Sequence, residues 1–169
     1  AADTTTATIT PSHYRDKYLP IYLDSVAVGG LESGWDYDSA LRTVFRSGKT
    51  TPEPYQVTVP TTPVTEDELR TEPFVDSPEL LDTRGVPDSV TALSRSIIEK
   101  AGATTVFDAA DALLHYFTKP ANGFRYSLNV PAGNTGDALT DFLTQKTGYC
   151  EQYAAALAVM LRSIGIPAR

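Results

Sequence analysis

The residues able to do chemistry gather in Thr147-Gly148-Tyr149-Cys150-Glu151-Gln152-Tyr153-Ala154, around the only cysteine in the chain. One thiol cannot form an internal disulfide, and with only two histidines beside it a zinc site would need distant carboxylates. A structural zinc site is therefore not expected, no metal is assigned, and thiol acyl transfer would need no cofactor. Cys150 directly follows a glycine break and opens an Ala- and Leu-rich run to Ile164 that Gly165 and Pro167 stop. This places the sulfur in the first turn of a helix, where free amide N–H groups and the positive end of the dipole stabilise a thiolate. A thiolate is the nucleophile of acyl transfer. Gly148 would let a substrate backbone approach, and the N–H of Cys150 could help bind an oxyanion. Free cysteines are also commonly buried and inert, so placement alone leaves the reactive and the structural readings open.

The neighbouring residues carry less. Tyr149 could wall a substrate groove. Gln145, five residues before Cys150, invites comparison with the glutamine that supports the oxyanion hole of papain-like proteases. Glu151 and Gln152 either line a cleft or complement the helix dipole, and Arg162 and Arg169 read as surface or ion-pair groups. His115 falls on the flank of a helical stripe and His13 near Pro11, so both read as surface or packing residues.

Three stretches must position this segment. Residues 1–60 hold four or five short β-rich runs between Gly and Pro punctuation, which predicts a small antiparallel sheet with Trp35 either sealing it or binding a ligand. Residues 61–87 read as a Pro-rich acidic connector. Seven of the twelve prolines lie between Pro52 and Pro87, Glu66 to Leu69 can form one helical turn, and the acids from Glu66 to Asp82 face only Arg70 and Arg84. From Asp88 the period becomes helical. Val90, Leu93, Ile97 and Ala101 form one stripe that ends at Gly102, and Thr105-x-x-Asp108 has the form of a capping box. Val106, Ala110, Leu113 and Phe117 form the next stripe, stopped by Pro120. Phe124 to Leu128 is a strand candidate, and Asp137 to Lys146 a short helix with Leu139, Phe142 and Leu143 inward. The last helix is apolar on nearly every face and is expected to be buried among others.

Composition excludes several classes of function. The chain has 169 residues with 14 Lys+Arg against 21 Asp+Glu, a net charge of −7, which disfavours nonspecific binding to nucleic acid and to anionic lipid. No run of eighteen apolar residues exists and no secretory leader is visible. A start without Met and an abrupt end at Arg169 suggest a processed or excised fragment.

Asp141-Phe142-Leu143, then Gly148-Tyr149-Cys150-Glu151-Gln152-Tyr153-Ala154-Ala155-Ala156, then Met160 through Gly165-Ile166-Pro167-Ala168-Arg169, resemble the core motif of bacterial transglutaminase-like proteins. There a G-[YF]-C-x-x-[YF]-A segment opens the central helix and G-I-P-[AV]-R leads into the next strand. Phe124-Arg125-Tyr126-Ser127-Leu128 resembles an F-x-Y-S-L segment of the same family, and the whole chain resembles its membrane-anchored, extracytoplasmic branch. The resemblance implies an α+β protein with a small N-terminal β-rich module, followed over 88–169 by the mainly helical half of a papain-like transglutaminase core. It implies Cys150 as nucleophile of a Cys-His-Asp triad whose His and Asp lie beyond Arg169, so the fragment itself is expected to be inactive. It further implies peptide or protein substrates, amide cross-linking or hydrolysis through a thioester, and a location on the extracytoplasmic face of the cell membrane. Apolar surface left uncovered by the truncation could support a dimer. The competing reading is a noncatalytic extracytoplasmic interaction module with a structural Cys150.

Overall fold

The computed structural model describes residues 3–39, 41–72, 77–130, 133 and 135–169. Two units follow one another along the chain, Ala1–Val64 and Thr65–Arg169.

In the first unit the β-branched and alternating runs form six strands: β1 (Thr4–Ile9), β2 (Asp16–Tyr18), β3 (Ala27–Gly29), β4 (Asp36–Asp38), β5 (Thr43–Thr50) and β6 (Tyr55–Pro60). They make two antiparallel three-stranded sheets, ordered β1-β6-β3 and β2-β5-β4, where the sequence predicted one. Gly30 and Gly34, both with positive φ, turn the chain between β3 and β4, sending one to each sheet. Strand β6 alternates as its sequence does. Tyr55 and Val57 point inward, joining Leu19 and Val44 in a buried core, while Gln56 faces out. The Tyr55 hydroxyl, buried with its ring, donates to the Pro20 carbonyl. Trp35 packs against this core, donates from Nε1 to Glu32 at 3.2 Å and lies under the Arg46 guanidinium. It also lines a hollow of about 340 Å³ with Leu23, Val26 and Tyr37.

The second unit contains α1 (Glu66–Thr71), α2 (Asp88–Ala101), α3 (Val106–Thr118), β7 (Arg125–Tyr126), α4 (Ala138–Gln145), β8 (Thr147–Gly148) and α5 (Cys150–Ser163), with short 3-10 turns at Pro78–Leu80 and Pro120–Asn122. The helix ends follow their caps. Thr65 and Glu68 form a reciprocal capping box on α1. Thr105 Oγ1 accepts the Asp108 N–H at the start of α3, but the Asp108 carboxylate turns to Arg70 Nε at 2.9 Å instead of closing the box. Of the acids near Arg70 and Arg84, Asp76 lies outside the described residues. Gly102 and Gly165 adopt left-handed φ, and paired backbone bonds (Ala103 to Ile98 and Ile166 to Leu161) close α2 and α5 in Schellman geometry.

The core of this unit is Val90, Leu113, Phe117, Phe142, Leu143, Ala156 and Met160, drawn from α2 to α5. Two stripes differ from expectation. On α3 the buried face is Ala109, Leu113 and Phe117, and Val106 is 43% exposed, because Phe107 and Asp108 at the start of the helix are held by Arg70 of α1. On α5 the expected all-round burial is one-sided. Ala156 and Met160 are covered while Ala154 and Ala155 are exposed, since α2, α3 and α4 reach only one face among the described residues. Ser94 is fully buried on α2, bonded to the Val90 carbonyl and receiving the Ser163 hydroxyl of α5 at 3.3 Å. After α5 the Arg162 guanidinium donates to the Ala168 carbonyl at 2.6 Å, and the Ala168 N–H reaches Leu80, tying the tail to the 3-10 turn.

Candidate active site

Helix α4 ends at Lys146, whose left-handed backbone (φ 53) reverses the chain into β8. The Lys146 ammonium donates to the Asn122 carbonyl at 2.9 Å and sits over the Phe124 ring, so this turn is anchored on the segment just before β7. Strand β8 then runs parallel to β7, with Arg125 opposite Thr147 and Tyr126 opposite Gly148. The Arg125 N–H donates to Lys146 at 2.8 Å and the Ser127 N–H to Gly148 at 2.7 Å. This small ladder holds the chain up to Tyr149, which caps α5 in extended geometry, and Cys150 follows as its first residue.

Cys150 is exposed, at the helix start rather than within the packing. Helix geometry leaves the Cys150 and Glu151 N–H groups without acceptors inside α5. The Gln152 carboxamide bends back and its Oε1 accepts the Tyr149 N–H at 3.1 Å. Of the two sequence readings for Gln152, cleft lining and dipole complement, neither describes this: it is the cap of the nucleophile's own helix. Glu151 is exposed in the first turn, where its charge complements the dipole.

Gly148 is buried, and a Cβ placed on it would lie 2.6 Å from Gln152 Oε1 and 2.8 Å from the Phe142 ring. Glycine is thus required here by internal packing. Tyr149 is half-buried, and Gln145 closes α4 with its carbonyl accepting the Thr147 hydroxyl at 3.3 Å. Beneath the site lies a cluster of rings. Phe142 meets Tyr153 edge-on at 5.0 Å, Phe124 meets Phe117 at 5.0 Å, and Tyr126 stacks on Tyr153 at 6.4 Å. Burial pushes the Tyr153 hydroxyl above its ordinary pKa, keeping it neutral.

The histidines sit elsewhere. His115 Nδ1 is held by Asp111 one turn earlier on α3, at 2.9 Å from the carboxylate, and His13 lies in the first unit beside Ser12. No hydrogen bond among the described residues joins either to Cys150. Nor does any group of three or more His, Cys, Asp or Glu there assemble a metal site. No helix among them is long and apolar enough to cross a membrane. The sequence reading passed over β8 and the pairing that aims Cys150. The usable signal was the alternation in Phe124-x-Tyr126-x-Leu128, which marked β7.

The site is thus a thiol at the mouth of a helix that follows a short strand, with helices packed behind it. Residues 91–169 match the family model of the transglutaminase-like superfamily. Over 90 residues the chain is 34% identical to the uncharacterized protein YebA of Bacillus subtilis (strain 168), a match that takes in 50% of this chain and 12% of that protein. The periplasmic domain of TgpA from Pseudomonas aeruginosa, bound to ethylmercury, superimposes with a TM-score of 0.63 at 21% identity, over 97% of this chain and 55% of that one. A second structure of the same periplasmic domain gives 0.56 at 20% identity, over 97% and 53%. The chain thus spans a small part of the curated relative and about half of the solved domain.

Proposed function

We propose that this chain is the nucleophile-bearing part of an extracytoplasmic thiol acyl-transfer enzyme, with Cys150 as the nucleophile. The observation that carries the reading is an exposed thiol at the first position of α5, aimed by the β7–β8 ladder. A cysteine kept only for packing would be covered. The thiolate sulfur attacks a carboxamide carbon of a peptide or protein. The C–S bond forms, the C–N bond breaks, and the nitrogen leaves with a proton as ammonia or an amine. Water or a second amine then attacks the thioester, releasing the thiolate and giving hydrolysis or a cross-link. In this reading the N–H of Cys150 at the helix start receives the developing oxyanion. In this reading the histidine base and its aspartate come from residues beyond Arg169, since His115 is bonded within its own helix and His13 beside its neighbour Ser12. The periplasmic setting of the structural neighbour supports a parent acting outside the cytoplasm, and the membrane anchor of that parent is what the motif resemblance implies.

Alkylation by iodoacetamide tests the nucleophile. At pH 7 Cys150 should react about fivefold or more faster than free cysteine, as thiolates at helix starts do, and Cys150→Ala should remove all labelling. A rate at or below that of free cysteine would overturn the assignment. The 169-residue chain alone should release no ammonia from a glutamine peptide, and turnover abolished by His115→Ala would show that the base is here after all.

A further inference from the structure

We infer that Lys146 is a positioning residue for Cys150: its side chain latches the turn between α4 and β8 to the end of α3, and so holds the strand that presents the thiol. The inference rests on the nucleophile reading above and names the group that fixes the nucleophile in place. It starts from a strained backbone. Lys146 holds φ 53 at the end of α4. Glycine makes the same left-handed turn after α2, after Pro120–Asn122 and after α5, at Gly102, Gly123 and Gly165. Glycine does so without the Cβ conflict that a lysine meets. A residue with a side chain persists in that conformation where the surrounding structure over-determines it.

The surroundings of Lys146 engage its backbone and its side chain together. Its N–H donates to Phe142 of α4 and its carbonyl accepts the Arg125 N–H of β7, both at 2.8 Å. Its half-buried ammonium donates to the Asn122 carbonyl at 2.9 Å and lies 5.5 Å from the centre of the Phe124 ring. Asn122 is held in turn. Its Nδ2 donates to the Tyr116 carbonyl at 2.9 Å and to the His115 carbonyl at 3.3 Å, both near the end of α3. A chain of bonds thus runs from α3 through Asn122 to Lys146, and β8 begins at the next residue. A two-residue strand makes too few ladder bonds to fix its own register. The ammonium supplies the fixed point, directly before the strand that leads to Tyr149 and Cys150.

The test measures iodoacetamide alkylation of Cys150 at pH 7 together with hydrogen exchange of the Arg125 and Ser127 N–H groups that make the ladder. Lys146→Met keeps an apolar stem over Phe124 and removes the donor. Lys146→Gly removes the side chain and the backbone strain with it. Lys146→Arg can still donate to the Asn122 carbonyl. Alkylation should slow about threefold or more in the Met and Gly variants and stay within about twofold of the natural rate in Lys146→Arg. Exchange at Arg125 and Ser127 should quicken about fivefold or more in Lys146→Met and return in Lys146→Arg. The urea midpoint of Lys146→Gly should equal or exceed that of Lys146→Met, because the strain is relieved. A lysine that served stability alone would move reactivity and stability together. The slowing in Lys146→Met should persist in about 0.5 M NaCl, where a through-space effect of the lost charge would be screened. The control Lys119→Met, at the exposed end of α3, should alkylate within about twofold of the natural rate. An unchanged rate in Lys146→Met, a slowing that salt abolishes, or ladder amides that exchange as in the natural protein would overturn the latch. A natural-protein rate no faster than that of free cysteine removes the nucleophile reading, while exchange quickened in Lys146→Met and restored in Lys146→Arg leaves the latch standing.

Discussion

Gly148 and Gln152 make one device with Phe142. The carboxamide oxygen caps the Tyr149 N–H and occupies, with the Phe142 ring, the space a side chain on residue 148 would need. The ring cannot retreat freely, since it is wedged against Tyr153 and Phe124. Gly148→Ala should therefore destabilise the chain by about 1–3 kcal/mol, as overpacking does, and displace the cap as well. A urea midpoint unchanged from the natural protein would contradict this. Gln152→Ala should cost about 1 kcal/mol by leaving the Tyr149 N–H unpaired, while Gln152→Glu, which keeps an acceptor, should lose less. At this scale Cys150 was legible because a glycine followed by an Ala- and Leu-rich run marks a helix start. The Gln152 cap was hidden because a capping box is ordinarily read from Ser, Thr, Asp or Asn at its first position, and here that position is Tyr149.

Among the elements, α4 carries the chain to the thiol and depends on its first residue. Asp137 Oδ1 accepts the Thr140 N–H at 2.6 Å, and that bond holds the carboxyl below its ordinary pKa of 3.8. Asp137→Ala should cost about 1 kcal/mol at neutral pH. A carboxyl lowered on folding contributes fully above its unfolded pKa and loses that contribution as pH falls through the still lower folded value. The stability advantage over Asp137→Asn should thus be constant from pH 7 to 5 and shrink below about pH 4. Urea titrations at pH 7, 5 and 3 check it, and an advantage that grows toward acid would refute the cap. The ends of α2, α4 and α5 could be read closely from Gly102, Asp137, Gly148 and Gly165, because caps are local. Strand β8 could not. Two residues show no alternation, and their partner Arg125–Tyr126 lies some twenty residues away across α4. The α3 face likewise depended on Arg70 of α1 gripping Asp108, a tertiary contact outside the helix's own period.

At the scale of the whole chain, two cores must be kept apart in any argument about the thiol. Leu19, Val44, Tyr55 and Val57 fill the first, while Met160, Phe142 and their neighbours fill the second. The α+β character was visible in the change of period near Asp88. The splitting of the N-terminal strands into two sheets was not, because three-residue strands carry no signal of which neighbour they join. Every contact described above that aims Cys150 comes from within the second unit. Leu19→Ala and Met160→Ala each empty a buried site and should each cost about 2–5 kcal/mol. Their effect on the sulfur should differ. In conditions where both variants remain folded, Leu19→Ala should leave the iodoacetamide rate of Cys150 within about twofold of the natural protein, as expected of a residue with no partner in common with the thiol's helix. Met160→Ala loosens α5 in the core that it shares with Phe142 and Leu113 and, if that core holds the helix start in place, should bring the rate down toward that of free cysteine. Equal effects of the two substitutions would mean that the first unit helps set the reactivity of the thiol, and the ladder alone would no longer account for its placement.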